Sequence, residues 1–186
     1  MNKNNIFFID FETGGLNAYK DAVISCFIGN ENVPGEYFEF YPQKKLYNYS
    51  ALKINNFDLD SLYENGDSRE LLLDYINDIS KDRKYIVFCG WNVGFDIDFL
   101  LNIYKDKGLK IPCPFILLDL CEIAKEKIKK KDKRKKDDFG VEDHKLSTIY
   151  QEYYDNFDIN KSHTADYDCM MVEKLYNKFN ELGWLE

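Results

Sequence analysis

Two acids, two positions apart inside an otherwise apolar run, constrain this chain most. The run is Phe7-Phe8-Ile9-Asp10-Phe11-Glu12-Thr13, ending at Gly14-Gly15-Leu16. Its Ile and Phe content, and the glycine pair that stops it, predict a strand from Asn5 to Thr13. Strand side chains alternate, so Asp10 and Glu12 share a face with Ile6 and Phe8, their Cα atoms roughly 6.5–7 Å apart. Apolar residues on both faces predict a buried central strand. Two ionised acids there repel and lose hydration unless a cation intervenes. The plainer alternative is a strand end where both acids reach water, and Gly14-Gly15 does mark such an end.

Two further acids stand in apolar surroundings. A helix is predicted from Ala165 to Leu182, with Gly183 as its stop. On it Asp168 lines up with Met171, Val172, Leu175, Phe179 and Leu182, in mid-stripe rather than at the polar edge. A first-turn acid meeting the helix dipole is the competing explanation. Asp96 follows the short strand Tyr85 to Cys89 and a break at Gly90. It opens a helix from Phe95 to Tyr104 and shares a face with Phe99, Leu100 and Ile103, while Asn92 caps or shapes the turn. Asp98 points elsewhere, toward solvent.

Taken together, these acids converge only in a folded α/β domain. An oxygen-rich cluster suits Mg²⁺ or Mn²⁺ rather than zinc. Two such ions can hold the attacking and leaving oxygens of a phosphoryl displacement. His163, in the loop before the Asp168 helix, is the candidate general base, since histidine ordinarily titrates near neutrality. His144 follows a charged loop and reads as a surface residue.

The ordered motifs resemble the DEDDh 3′→5′ exonucleases, the family of polymerase proofreading subunits, oligoribonuclease and tRNA-trimming enzymes. Asp10, Glu12, Thr13 and Gly14 match its first motif. Asn92, Phe95, Asp96, Phe99 and Leu100 match the second, and His163 with Asp168 matches the third. The spacing of His163 and Asp168 resembles the histidine branch rather than the tyrosine one. The resemblance spans about residues 5–180 and implies a ribonuclease H-like fold, an antiparallel meander plus parallel strands flanked by helices. It implies that Asp10, Glu12, Asp96 and Asp168 hold two Mg²⁺ or Mn²⁺ ions, Asp96 through water. It also implies that His163 activates the attacking water and that nucleoside 5′-monophosphates leave from single-stranded DNA or RNA 3′ ends. Thr13, Gly14, Gly15 and Leu16 would surround the terminal nucleotide with Phe99; Asn55, Trp91 and Asn92 are further substrate-binding candidates. Two departures bear on substrate choice: Trp91 stands where many members have His, and Asn55-Asn56 where some have His-Gly. The Thr13–Leu16 form resembles DNA-trimming members, which favours DNA. A proofreading module docked on a polymerase or replication partner, an RNA-trimming exoribonuclease and a catalytically idle binding protein are the alternatives.

The 186 residues suffice for one domain, 1–186. Further strands are predicted at Ala22 to Ile28, Glu36 to Tyr41 and Ile116 to Leu118. Further helices are predicted at Ser68 to Ser80, with Asp67 and Glu70 in capping-box positions, and at Lys145 to Tyr153. Lysine and arginine crowd residues 125–138, which read as a solvated helix extension or mobile loop, or else as a phosphate-tracking arm. The formal net charge of −8 excludes extended non-specific duplex binding over the whole surface. Five cysteines without a Cys-x-x-Cys indicate a reducing compartment, and a zinc site from Cys113, Cys121 and His144 is disfavoured by spacing. No signal peptide or membrane-spanning run is evident, so a cytoplasmic location is expected.

Overall fold

A computed structural model describes residues 2–42, 45–54, 57–132 and 140–185. Asn55 and residues 133–139 of the charged segment therefore lie outside the described residues.

The strands are β1 (Ile6–Thr13), β2 (Val23–Asn30), β3 (Val33–Glu39), β4 (Ile86–Gly90) and β5 (Phe115–Asp119). They form one mixed sheet in the order β3-β2-β1-β4-β5. The first three make an antiparallel meander; β4 joins β1 in parallel, and β5 joins β4 in parallel. Among the described residues, seven α-helices surround the sheet: α1 (Tyr49–Ile54), α2 (Leu59–Asn65), α3 (Arg69–Ser80), α4 (Gly94–Asp106), α5 (Leu120–Lys127), α6 (Leu146–Gln151) and α7 (Ala165–Glu181). This is the ribonuclease H-like architecture.

The alternation expected of β1 sorts its residues onto two cores. Phe7, Ile9 and Phe11 pack with Leu72 and Ile76 of α3 and with Ile97, Leu100 and Ile103 of α4. Ile6 and Phe8 pack with Met171, Val172, Leu175 and Phe179 of α7. Leu175 and Phe179 are fully buried, each such side chain contributing about 1.5–3 kcal/mol. Asp10 and Glu12 continue the α7-facing row beyond Phe8. Leu182 leaves the expected stripe; it caps the helix and is exposed.

Several boundaries differ from expectation for local reasons. The β2–β3 turn is tighter than the apolar pattern suggested, because the Asn30 side chain accepts from the Asn32 and Val33 amides, both at 2.8 Å. Both strands therefore extend into the turn. The capping box does not form: Ser68 is the N-cap, without a side-chain cap bond. Asp67 instead bonds the Glu39 and Tyr41 amides, extending β3, and Glu70 pairs with Lys107. Among the described residues no helix is long and apolar enough to cross a membrane.

Candidate active site

The acids gather where β1 outlasts its parallel neighbour. β1 pairs with β4 only over Ile6 to Phe8, so the Phe11 amide has no strand partner on that side. Asp96, in the first turn of α4 and 3% exposed, supplies one: its Oδ1 accepts from Phe11 N at 2.9 Å. The carboxylate is thus anchored to β1 through the backbone, beside Asp10.

Asp10, Glu12 and Asp168 form the tighter group. Each offers a carboxylate oxygen, and these oxygens lie within 4.8 Å of one another. Among the described residues no lysine or arginine pairs with any of the four acids. Burial, then the charges of Asp96, Glu12 and Asp168, hold the Asp10 carboxyl well above the usual carboxylate range. Burial and Asp168 push Glu12 from its ordinary 4.5 to about 7. Burial likewise raises Asp168 from 3.8 to about 6, against the lowering effect of the His163 amide. Burial raises Asp96 too, although the Phe11 bond opposes it. Four acids strained toward protonation, with hard oxygen donors converging, fit divalent cations of the Mg²⁺ or Mn²⁺ class.

His163 sits immediately before α7 in an exposed turn, and its amide lies 3.4 Å from Asp168 Oδ1. It lines a groove together with Asp168. His163 (φ 66°) and Asn92 (φ 61°) are two of three non-glycine residues with positive φ among those described. Left-handed backbone costs such residues about 1–2 kcal/mol, and both flank the acids.

The other candidates fall into distinct places. Thr13 donates its hydroxyl to Gly15 O at 2.7 Å. Gly14 bonds Ala22 O at 2.8 Å and accepts from Asn48 N at 2.7 Å, so the loop after β1 is tightly folded. A Cβ on Gly14 would lie 2.8 Å from the Leu46 backbone oxygen, so the close approach of that segment requires glycine there. Leu16, at the tip, is 87% exposed and free to contact a ligand. Phe99 is 1% exposed and packs against Phe95 at 5.0 Å, so it belongs to the core rather than to an open nucleotide surface. Trp91 donates its indole N–H to His144 O at 3.1 Å. His144 is half-buried, not a free surface residue, with Nε2 2.8 Å from Ile128 O. Cys113 does not join Cys121 and His144; among the described residues the metal-type cluster is the carboxylate one.

Sequence reasoning missed Asp119. Its Oδ1 accepts from Asn92 N at 3.0 Å and from Cys121 N at 2.9 Å. One carboxylate thus caps α5 and fastens the strained turn leading to Asp96. The signal was present as an acid closing an apolar strand directly before a helix.

A mixed ribonuclease H-like sheet carrying clustered carboxylates at the end of its central strand defines a nuclease-type hydrolase. The exonuclease family RNase_T matches the chain over residues 7–176, and the chain belongs to that family. Solved structures share the fold. The structure of exonuclease I is 15% identical, with a TM-score of 0.71, over 95% of this chain and 40% of that one. Escherichia coli exonuclease I in complex with a dA16 oligonucleotide gives 16%, 0.73, 95% and 40%. The zinc-ion-bound form of the E. coli exonuclease I–single-stranded DNA complex gives 16%, 0.71, 95% and 40%. The chain thus spans about two-fifths of the length of these neighbours. No curated protein sequence matches the chain.

Proposed function

We propose that the protein removes nucleotides from the 3′ end of single-stranded DNA, releasing nucleoside 5′-monophosphates with two bound Mg²⁺ or Mn²⁺ ions. The observation that carries this reading is the convergence of Asp10, Glu12 and Asp168, within 4.8 Å, from distant parts of the chain. Asp10, Glu12 and Asp168 would hold the ions, with Asp96 assisting from its backbone-anchored position. The cations, when bound, supply charge neutralisation at the phosphate and at the leaving oxygen. His163 takes the proton of the attacking water on an imidazole nitrogen. The positive-φ turn presents that residue from the solvent side, where it can pass the proton on. The folded loop from Thr13 to Leu16 walls the terminal nucleotide. The preference for DNA draws support from the oligonucleotide complexes of E. coli exonuclease I, which has this fold.

The direct test incubates the purified protein with 5′-labelled single-stranded DNA, RNA and duplex, under Mg²⁺, Mn²⁺ or chelator. Laddering from the 3′ end of DNA, abolished by chelator and by Asp10→Ala, is expected. His163→Ala should lower kcat by about 10²–10⁴. Full activity in that variant would refute the general-base role, and no hydrolysis of any substrate would refute the function.

A further inference from the structure

We propose that the groove between β3 and α3 docks an extended, basic segment of a partner protein, which adds to the sheet at Tyr37 and sets an apolar side chain on Phe38. The groove opens on the α3 side of the sheet, where Phe38 packs, whereas Asp10 and Glu12 lie on the α7 side. The inference is therefore independent of the cleavage reaction.

The strand edge supplies the backbone part of the site. β3 is the outermost strand of the sheet on its side. Phe40 N donates to Ile24 O at 2.8 Å, and the ladder alternates from there, with Phe38 opposite Cys26 and Glu36 opposite Ile28. Bonds to β2 thus come from Phe40, Phe38 and Glu36, while the N–H and C=O of Tyr37 and Glu39 point outward. Glu39 is already engaged: its amide donates to Asp67 Oδ2 at 3.3 Å, and its carbonyl accepts from the Asp67 amide. Toward the other end Pro34 has no N–H to offer. Among the described residues the outward backbone groups of Tyr37 meet no partner. The edge is open for one short rung, enough to seat a few residues of extended chain.

The groove beside that rung supplies the side-chain part. Its volume is about 360 Å³, within the ligand-sized range of about 300–1,000 Å³. Leu71, Tyr75 and Asp78 succeed one another along α3 at helical spacing and form one wall. The Tyr75 hydroxyl donates to Pro34 O at 3.3 Å, and its ring meets Phe38 edge-on with centroids 6.0 Å apart. The floor is therefore fixed before any ligand arrives, which lowers the ordering cost of binding. Leu71 is 50% exposed although Leu72 and Leu73 beside it are buried, so apolar surface is left for a visitor to cover.

Charge selects the occupant. Glu36, Asp67 and Asp78 line the groove, and no lysine or arginine does. At its end Lys81 pairs with Asp78 at 2.6 Å, an exposed pair of the kind that contributes little and exchanges readily. An acidic segment would meet like charge on both walls, whereas lysine or arginine answers it. Alternate side chains of an extended chain share a face, so the fitting pattern is an apolar residue with a basic one two positions to either side.

The test titrates the intact, isotope-labelled protein, in Mg²⁺, with a peptide of the order lysine, threonine, leucine, threonine, lysine. Amide NMR signals of Gly35, Glu36, Tyr37, Leu71 and Asp78 should shift, with a Kd on the order of 0.1–1 mM. Leu71→Ala should weaken binding at least about fivefold. The double variant Glu36→Gln, Asp78→Asn should do the same and flatten the salt dependence. Unchanged melting temperatures in both variants show that the fold is kept. The peptide methylated on its backbone nitrogens, which cannot donate to Tyr37, should not bind, and neither should one with glutamate in place of lysine. Shifts confined to Asp10, Glu12 and Asp168, equal binding of the glutamate peptide, binding untouched by Leu71→Ala, or no shift at about 5 mM peptide overturns the proposal. A dimer of the protein alone that Leu71→Ala dissolves in sedimentation overturns it too, by making a second copy the occupant.

Discussion

Replacing Glu12 by Gln should stabilise the metal-free protein near neutral pH while weakening its response to metal. Glu12 is 8% exposed, and burial together with Asp168 raises it from 4.5 to about 7. Each tenfold change in proton affinity corresponds to about 1.4 kcal/mol, so holding Glu12 ionised in the folded state costs about 3 kcal/mol above neutrality. The sign follows from proton counting. Between the ordinary value of 4.5 and about 7 the unfolded chain has released the proton while the folded chain keeps it. Stability therefore falls as pH rises through that window and stays low above it. Below the ordinary value both states are protonated and the effect vanishes. Gln keeps the shape without the charge, and it also relieves Asp168 and Asp10. In chelator at about pH 8, Glu12→Gln should gain about 2–3 kcal/mol, or about 4–12 °C in Tm at this chain length. At about pH 4 the two proteins should melt together. With excess Mg²⁺ the order should narrow or reverse, because ligand binding to the folded state raises the parent's stability by mass action. Thermal unfolding followed by circular dichroism, at several pH values with chelator or Mg²⁺, reads all three arms. A metal-free parent that outlasts the variant at about pH 8, or a difference that persists at about pH 4, would refute the reasoning.

Two other substitutions probe the supports of the site. Asp119→Ala removes the acceptor for both Asn92 and Cys121, and should cost about 1–2 kcal/mol in urea unfolding with a several-fold loss of kcat; unchanged kcat would show that the Asn92 turn holds itself. Arg69, 5% exposed, donates to Tyr41 O at 2.9 Å and Val23 O at 3.0 Å beneath the Phe40 ring. Arg69→Ala should lower stability by about 3 kcal/mol, since each charge-assisted bond contributes about 1.5–3 kcal/mol, and a loss below about 1 kcal/mol would mean that the neighbouring carbonyls find other donors.

What could be read from the chain and what could not divide along a physical line. The face of β1 was legible because strand alternation is strict, and Asp10 and Glu12 fell where period two put them. Asp168 was legible for the same kind of reason, since Met171, Val172, Leu175 and Phe179 are buried beside it. The Phe99 ring was misplaced because a motif position says nothing about which way a side chain is turned. Its neighbours in the α4 stripe, Leu100 and Ile103, bury that face. Asp67 looked like a capping residue locally, yet a long-range contact with Glu39 claims it. Trp91, His144 and Asp119 act through bonds to residues 27 or 53 positions away, beyond what any local pattern encodes.

The position of α7 has a consequence for the chain as it is being made. Asp10, Glu12 and Asp96 leave the ribosome well before His163 and Asp168 do. Ile6 and Phe8 meanwhile wait for Met171, Val172 and Leu175 to cover them. Until α7 docks there, the carboxylate cluster lacks Asp168, its third member, and His163 is not yet beside it. A nascent chain therefore carries all five strands before the acids are assembled. The docking of α7 thus does two things at once: it seals this core and completes the carboxylate cluster.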